Sequence, residues 1–126
     1  MTRKIIKTDQ APAAIGPYSQ ANSAGGFLFT AGQIPLDPIS MEIVGATAAE
    51  QARLALTNAK AVVEAGGLTL DNVVKVTVFI RDMGEFAAIN EVYQTFFTGE
   101  PPARSVVEVS GLPKDVLVEV EMIAYG

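Results

Sequence analysis

The 126-residue chain is 49% hydrophobic and 18% charged, carries a formal net charge of −5, and contains neither histidine nor cysteine. This balance predicts one packed domain rather than a disordered chain, and it disfavours nucleic acid, whose binders concentrate basic residues. The missing residue types exclude Ser-His-Asp and cysteine nucleophile chemistry, the usual zinc sites and a disulfide scaffold.

Further exclusions come from what the chain does not spell. No apolar run approaches the roughly 18 residues that a membrane span needs. The basic N-terminus lacks the apolar stretch of a secretory signal, so a cytoplasmic location is expected. No P-loop and no GxGxxG fingerprint is present. Chemistry is therefore left to carboxylates, Arg, Lys, Tyr, hydroxyls, backbone groups and water, with no metal site expected.

In chain order, residues 3–7 predict a short, charged edge strand. Pro12, Gly16 and Pro17 make residues 11–17 irregular. Tyr18–Ala24 and Phe27–Ala31 read as two strands joined at Gly25-Gly26, the second apolar on both faces and expected to be buried. A proline-braked loop follows over 32–38. Thr47 with Glu50 marks a helix start, the stripe Ala52, Ala55, Leu56, Ala59, Val62 and Val63 continues it, and Gly66-Gly67 stops it. Val73–Arg81 predicts a strand with Val74, Val76, Val78 and Ile80 on one face and Lys75 and Thr77 on the other. A second helix should begin near Asp82, bury Phe86, Ile89, Tyr93, Phe96 and Phe97, and end before Pro101-Pro102. Two further strands, one opened by Arg104 and one running through Glu119 and Glu121, complete the order βββαβαββ. The expectation is a single α+β domain over residues 1–126, a mixed sheet with two helices packed on one face. An apolar opposite face would need covering, which predicts a homo-oligomer.

Treating the last two strands as a hairpin closed around residues 111–114 pairs Val107 with Val118 and Ser105 with Val120. Arg104 then lies across from Glu121 and Val106 across from Glu119, with Arg104 and Glu119 as same-face diagonal neighbours. Such a pair reads either as an arginine for a carboxylate beside a glutamate that holds a water, or as a structural salt bridge. Spacing alone favours the salt bridge.

The stretches Ala11–Gln20, Gly32–Pro35, Val73–Phe79, Phe86–Asn90, Pro102–Ser105 and Leu112–Asp115 occur in the order that resembles the YjgF/RidA family, across nearly the whole chain. The resemblance implies a chorismate-mutase-like fold and a homotrimer with ligand clefts between subunits. It also implies cofactor-free hydrolytic deamination of enamine and imine intermediates, 2-aminoacrylate/2-iminopropanoate and 2-iminobutanoate, to 2-keto acids and ammonia. By the same resemblance, Arg104 would grip the substrate carboxylate and Glu119 would position water. Tyr18, Gly32 and Asn90 would line the cleft. Ala31 and Val106 stand where many members carry a serine and a cysteine, so this pocket should be less polar. Two alternatives remain: a non-catalytic regulator that binds small carboxylates or 2-keto acids, and an RNA-directed role as an endoribonuclease or translation inhibitor.

Overall fold

The structure, a computed structural model, describes residues 2–126. Its elements are β1 (Lys4–Ile6), β2 (Ala21–Ala24), β3 (Phe27–Thr30), α1 (Ala48–Ala65), β4 (Val73–Ile80), α2 (Phe86–Phe96), β5 (Ala103–Glu108) and β6 (Val118–Tyr125). This is the expected order, and the six strands form one mixed sheet.

The local signals work as physical chemistry requires. Gly25 and Gly26 both take positive φ, 59° and 86°, which lets a two-residue turn follow the sheet's twist between β2 and β3. Thr47 Oγ1 accepts from the Glu50 backbone N–H at 3.2 Å and donates to the Glu50 carboxylate at 3.0 Å, capping α1. The small residues Ala52, Ala55 and Ala59 are fully buried beside Val62 and Val63, so α1 lies close against the sheet. Val76, Val78, Ile80, Val118, Val120 and Met122 meet it from β4 and β6 in one apolar core that also takes in Ile89, Val92 and Tyr93 of α2. Asp82 caps a short 3-10 turn, Met83–Glu85, which leads directly into α2.

Strand order departs from the expected hairpin. The sheet runs β1-β2-β3-β6-β4-β5. β4, α2 and β5 form a parallel crossover, while β6 inserts between β3 and β4 and pairs antiparallel with both. β5 and β6 therefore never touch as neighbours. Val76 pairs with Arg104 on one side and Met122 on the other, so Arg104 and Val106 share the helix-covered face with Val76, Val78 and Val120. Ser105 and Val107 face the opposite way, with Glu119 and Glu121. The hairpin reading inverted β5 because valine occupies both of its faces, at Val106 and Val107, and period-two patterning cannot choose between them.

Two smaller corrections follow from the same sheet. A register shift between Val73 and Lys75 makes Val74 the extra residue of a bulge, exposed, and Val73 replaces it in the core. β3 is buried on one face only. Leu28 and Thr30 point inward, while Phe27 and Phe29 are 41% and 42% exposed on the open face, where Phe27 meets Tyr125 with ring centroids 4.7 Å apart. No described helix is long and apolar enough to cross a membrane.

Candidate functional site

At the start of β6 lies a cleft of about 420 Å³, lined by Pro12, Ala13, Ile15, Tyr18, Ala31, Gly32, Gln33, Ile34, Leu36, Pro113, Lys114 and Glu119. Three sequence-distant loops build it, and buried amides tie down two of them. Gln20 Nε2 donates to the carbonyls of Thr8, Ala11 and Pro12, and its Oε1 accepts from Thr8 N–H, which fixes the irregular proline segment. Asn58 of α1 donates to the Ile34 and Leu36 carbonyls, each at 3.0 Å. Gln33 exchanges both backbone hydrogen bonds with Val120, at 2.7 and 2.9 Å, locking its loop beside the strand that carries Glu119. The third loop holds Lys114 and Asp115 in succession at φ 56° and 57°, a left-handed pair that reverses the chain between β5 and β6.

Glu119 is the carboxylate that lines this cleft. Its carboxylate lies against Gly32 so closely that a Cβ added there would overlap Glu119 Oε2. Glycine is required at 32 for this approach, not for a turn. Burial pushes the Glu119 carboxyl above the ordinary glutamate range, and the like charge of Glu121, two residues on and on the same face, adds to the shift. Tyr18 stands half out of the cleft wall, its hydroxyl accepting a long bond of 3.4 Å from the Ile15 N–H. Ala31 adds no polar group beside them.

Arg104 lies outside this cleft, in a pocket of contacts formed with α2. From β5 its side chain reaches α2, where Nη1 donates to Asn90 Oδ1 at 2.7 Å. The guanidinium carbon lies 4.7 Å from the Tyr93 ring centroid and 5.5 Å from that of Phe86. Val106, two residues along the same face, packs against the core. Glu119 pairs with Phe79, whose other neighbour is Val107, so Arg104 is two strands over and three residues along from Glu119. Strand spacing and rise put the two backbones roughly 14 Å apart, with their side chains on opposite faces.

One chain thus brings Tyr18, Ala31, Gly32 and Glu119 together, and separately Asn90, Arg104 and Val106, without joining the two groups. Gln20, Gln33, Asn58, Lys114, Phe86 and Tyr93 were not singled out from sequence as site residues. Asn58 had a signal, a polar side chain inside the apolar stripe of α1. Among the described residues, no group of three or more acidic, histidine or cysteine side chains could hold a metal ion.

Residues 8–126 match the family model described as Endoribonuclease L-PSP. A RutC family protein of Pyrococcus horikoshii is 55% identical over 123 residues, covering 98% of both chains. The 2-iminobutanoate/2-iminopropanoate deaminase of Escherichia coli K12 is 52% identical over 124 residues, covering 96% of both. Among solved structures, E. coli TdcF with bound serine superposes with a TM-score of 0.94 at 51% identity, covering 98% of each chain.

Proposed function

The chain belongs to the YjgF/RidA family, and we propose that it is an imine deaminase converting 2-iminopropanoate and 2-iminobutanoate to the corresponding 2-keto acids and ammonia. The observation that carries this reading is Glu119, a carboxylate half-buried in an apolar cleft, seated on Gly32 and holding its proton above the usual range. Such a group can take a proton from water and return it to a leaving nitrogen.

The substrate needs a cation as well, and Arg104 supplies it. A three- or four-carbon imino acid cannot span roughly 14 Å and a sheet, so Arg104 and Glu119 of one chain do not serve the same molecule. The site is completed when the Arg104 pocket of one copy meets the Glu119 cleft of another, in a homotrimer with its clefts between subunits. The apolar end of the open face, Phe27, Phe29 and Tyr125, supports such assembly, because exposed apolar area of this kind is favourable to bury.

In the reaction, the enamine first tautomerises to the imine. Arg104 fixes the carboxylate, and a water held by Glu119 attacks the imine carbon. One proton of that water passes through Glu119 to the nitrogen, giving a carbinolamine; its hydroxyl then gives up the second proton by the same route as the C–N bond breaks, and ammonia departs to leave the keto acid. Tyr18 closes the wall over the reacting carbon, and Ala31 and Val106 leave the pocket apolar. These steps use side chains and water alone. The relative solved with bound serine supports a site sized for a small amino acid. The formal charge of −5 weighs against RNA as the substrate. A cytoplasmic protein meeting imines released by dehydratases or oxidases fits this chemistry.

The test is keto-acid release from imines generated by an amino-acid oxidase, with semicarbazide as a competing trap. Wild type should accelerate release and outrun the trap, and Arg104→Ala should fall to the spontaneous rate. Equal rates with and without the wild-type protein would exclude the deaminase reading.

A further inference from the structure

Arg104 is held by three uncharged side chains on one stripe of α2, Phe86, Asn90 and Tyr93, at spacings of four and three residues. We infer that these three form a neutral cradle that orients Arg104 while leaving its positive charge uncompensated for a ligand carboxylate. The inference rests on the reading of Arg104 as the carboxylate anchor, and it assigns positioning and affinity to residues outside the reacting atoms.

Chemistry distinguishes this cradle from an ordinary salt bridge. An arginine on an edge strand has a long, mobile stem, and binding a planar carboxylate freezes it. Orienting it beforehand removes that loss. A carboxylate at position 90 would orient it equally well and accept the same hydrogen bond. It would also neutralise the guanidinium and compete with the ligand for it. An amide oxygen accepts from Nη1 without doing so, and the faces of two aromatic rings attract the cation without neutralising it. With Asn90 on one N–H and both rings near the central carbon, the remaining donors of the fork are left for the ligand.

Tyr93 contributes its ring rather than its hydroxyl. The hydroxyl is buried without a hydrogen-bond partner, while Phe97 packs against the ring with centroids 4.9 Å apart.

The experiment measures the Kd of the full-length protein for 2-oxobutanoate by titration calorimetry, alongside KM, kcat and Tm. Asn90→Asp should weaken 2-oxobutanoate binding by about tenfold or more, raise KM with kcat less affected, and leave Tm at or above wild type. Tyr93→Leu should weaken binding by about tenfold, and Tyr93→Phe should restore it to within about twofold of wild type. Wild-type affinity in Asn90→Asp, or equal losses in Tyr93→Phe and Tyr93→Leu, would overturn the cradle. If Tyr93→Leu does not fold, Asn90→Asp and Tyr93→Phe still decide. Arg104→Ala separates the two readings: if it binds 2-oxobutanoate like wild type, the anchor itself is wrong. If it loses binding while Asn90→Asp does not, only the cradle fails.

Discussion

The Glu119 cleft and the Arg104 pocket put opposite charges on one sheet by opposite constructions. Glu119 sits among loops drawn from three distant parts of the chain, two of them pinned by the buried amides of Gln20 and Asn58, and burial raises its carboxyl pKa. Arg104 is served by a single helix, from the element immediately before its own strand, and its contacts are neutral. Desolvation tunes the acid, whereas the cation is only aimed. A proton-transfer group benefits from a shifted pKa, while a carboxylate anchor must stay charged and reachable.

This contrast gives the two halves different failure modes. The largest effect should come from Arg104→Ala, which removes the anchor and should take catalysed keto-acid release down to the spontaneous rate. Glu119→Gln keeps size and polarity but cannot carry a proton, so kcat should fall by about 10²–10⁴ with Kd for 2-oxobutanoate little changed. The two losses separate binding from chemistry. If Glu119→Gln instead lost ligand affinity and kept kcat, the roles would be exchanged. Gly32→Ala tests the seat of the carboxylate. Its Cβ would overlap Glu119 Oε2, displacing the acid on the order of 1 Å and lowering kcat by about 10² while the Arg104 pocket still binds.

The pH dependence sharpens the comparison further. If ionised Glu119 activates the water, the rising limb of kcat/KM should lie above the 4.5 of an unperturbed glutamate. Glu121→Gln should move that limb down, and only modestly, because burial is the larger cause. The sign for stability follows from the same shift. A glutamate whose pKa is higher folded than unfolded keeps its proton longer in the native state. Its ionisation therefore destabilises the fold as pH rises from about 4.5 through the native value, and the penalty is constant above it. Urea titrations across that window should show the decline flattened in Glu119→Gln.

The same two regions differ in how far they could be read from the chain. Helix limits were legible because Thr47, Gly67 and Asp82 act locally, on backbone groups within a turn of themselves. The partners of Arg104 were half visible: Asn90 was expected in a wall, but its stripe with Phe86 and Tyr93 looked like core. Strand order was not legible. Adjacent strands usually pair, but here the Lys114–Asp115 reversal carries the chain over β4, and the left-handed φ of Lys114 has no signature in its side chain. The Glu119 cleft depended on that order, and so did the separation of its acid from Arg104. Resemblance to the family named the residues that spacing alone had grouped on the wrong face.

The smallest predicted effect concerns stability rather than rate. Tyr93 is buried, burial raises its phenol pKa despite the opposing pull of Arg104, and the hydroxyl has no hydrogen-bond partner. An unpartnered buried hydroxyl forgoes its hydration without compensation, a penalty of about 1–3 kcal/mol. Tyr93→Phe removes the oxygen and keeps the ring that faces Arg104 and Phe97, so it should stabilise the fold by about 1 kcal/mol, read as a higher urea midpoint with an unchanged slope. Destabilisation by a similar amount would mean that the hydroxyl gains a partner when chains assemble. The Arg104 pocket, unlike the Glu119 cleft, would then be built from more than one chain of the assembly.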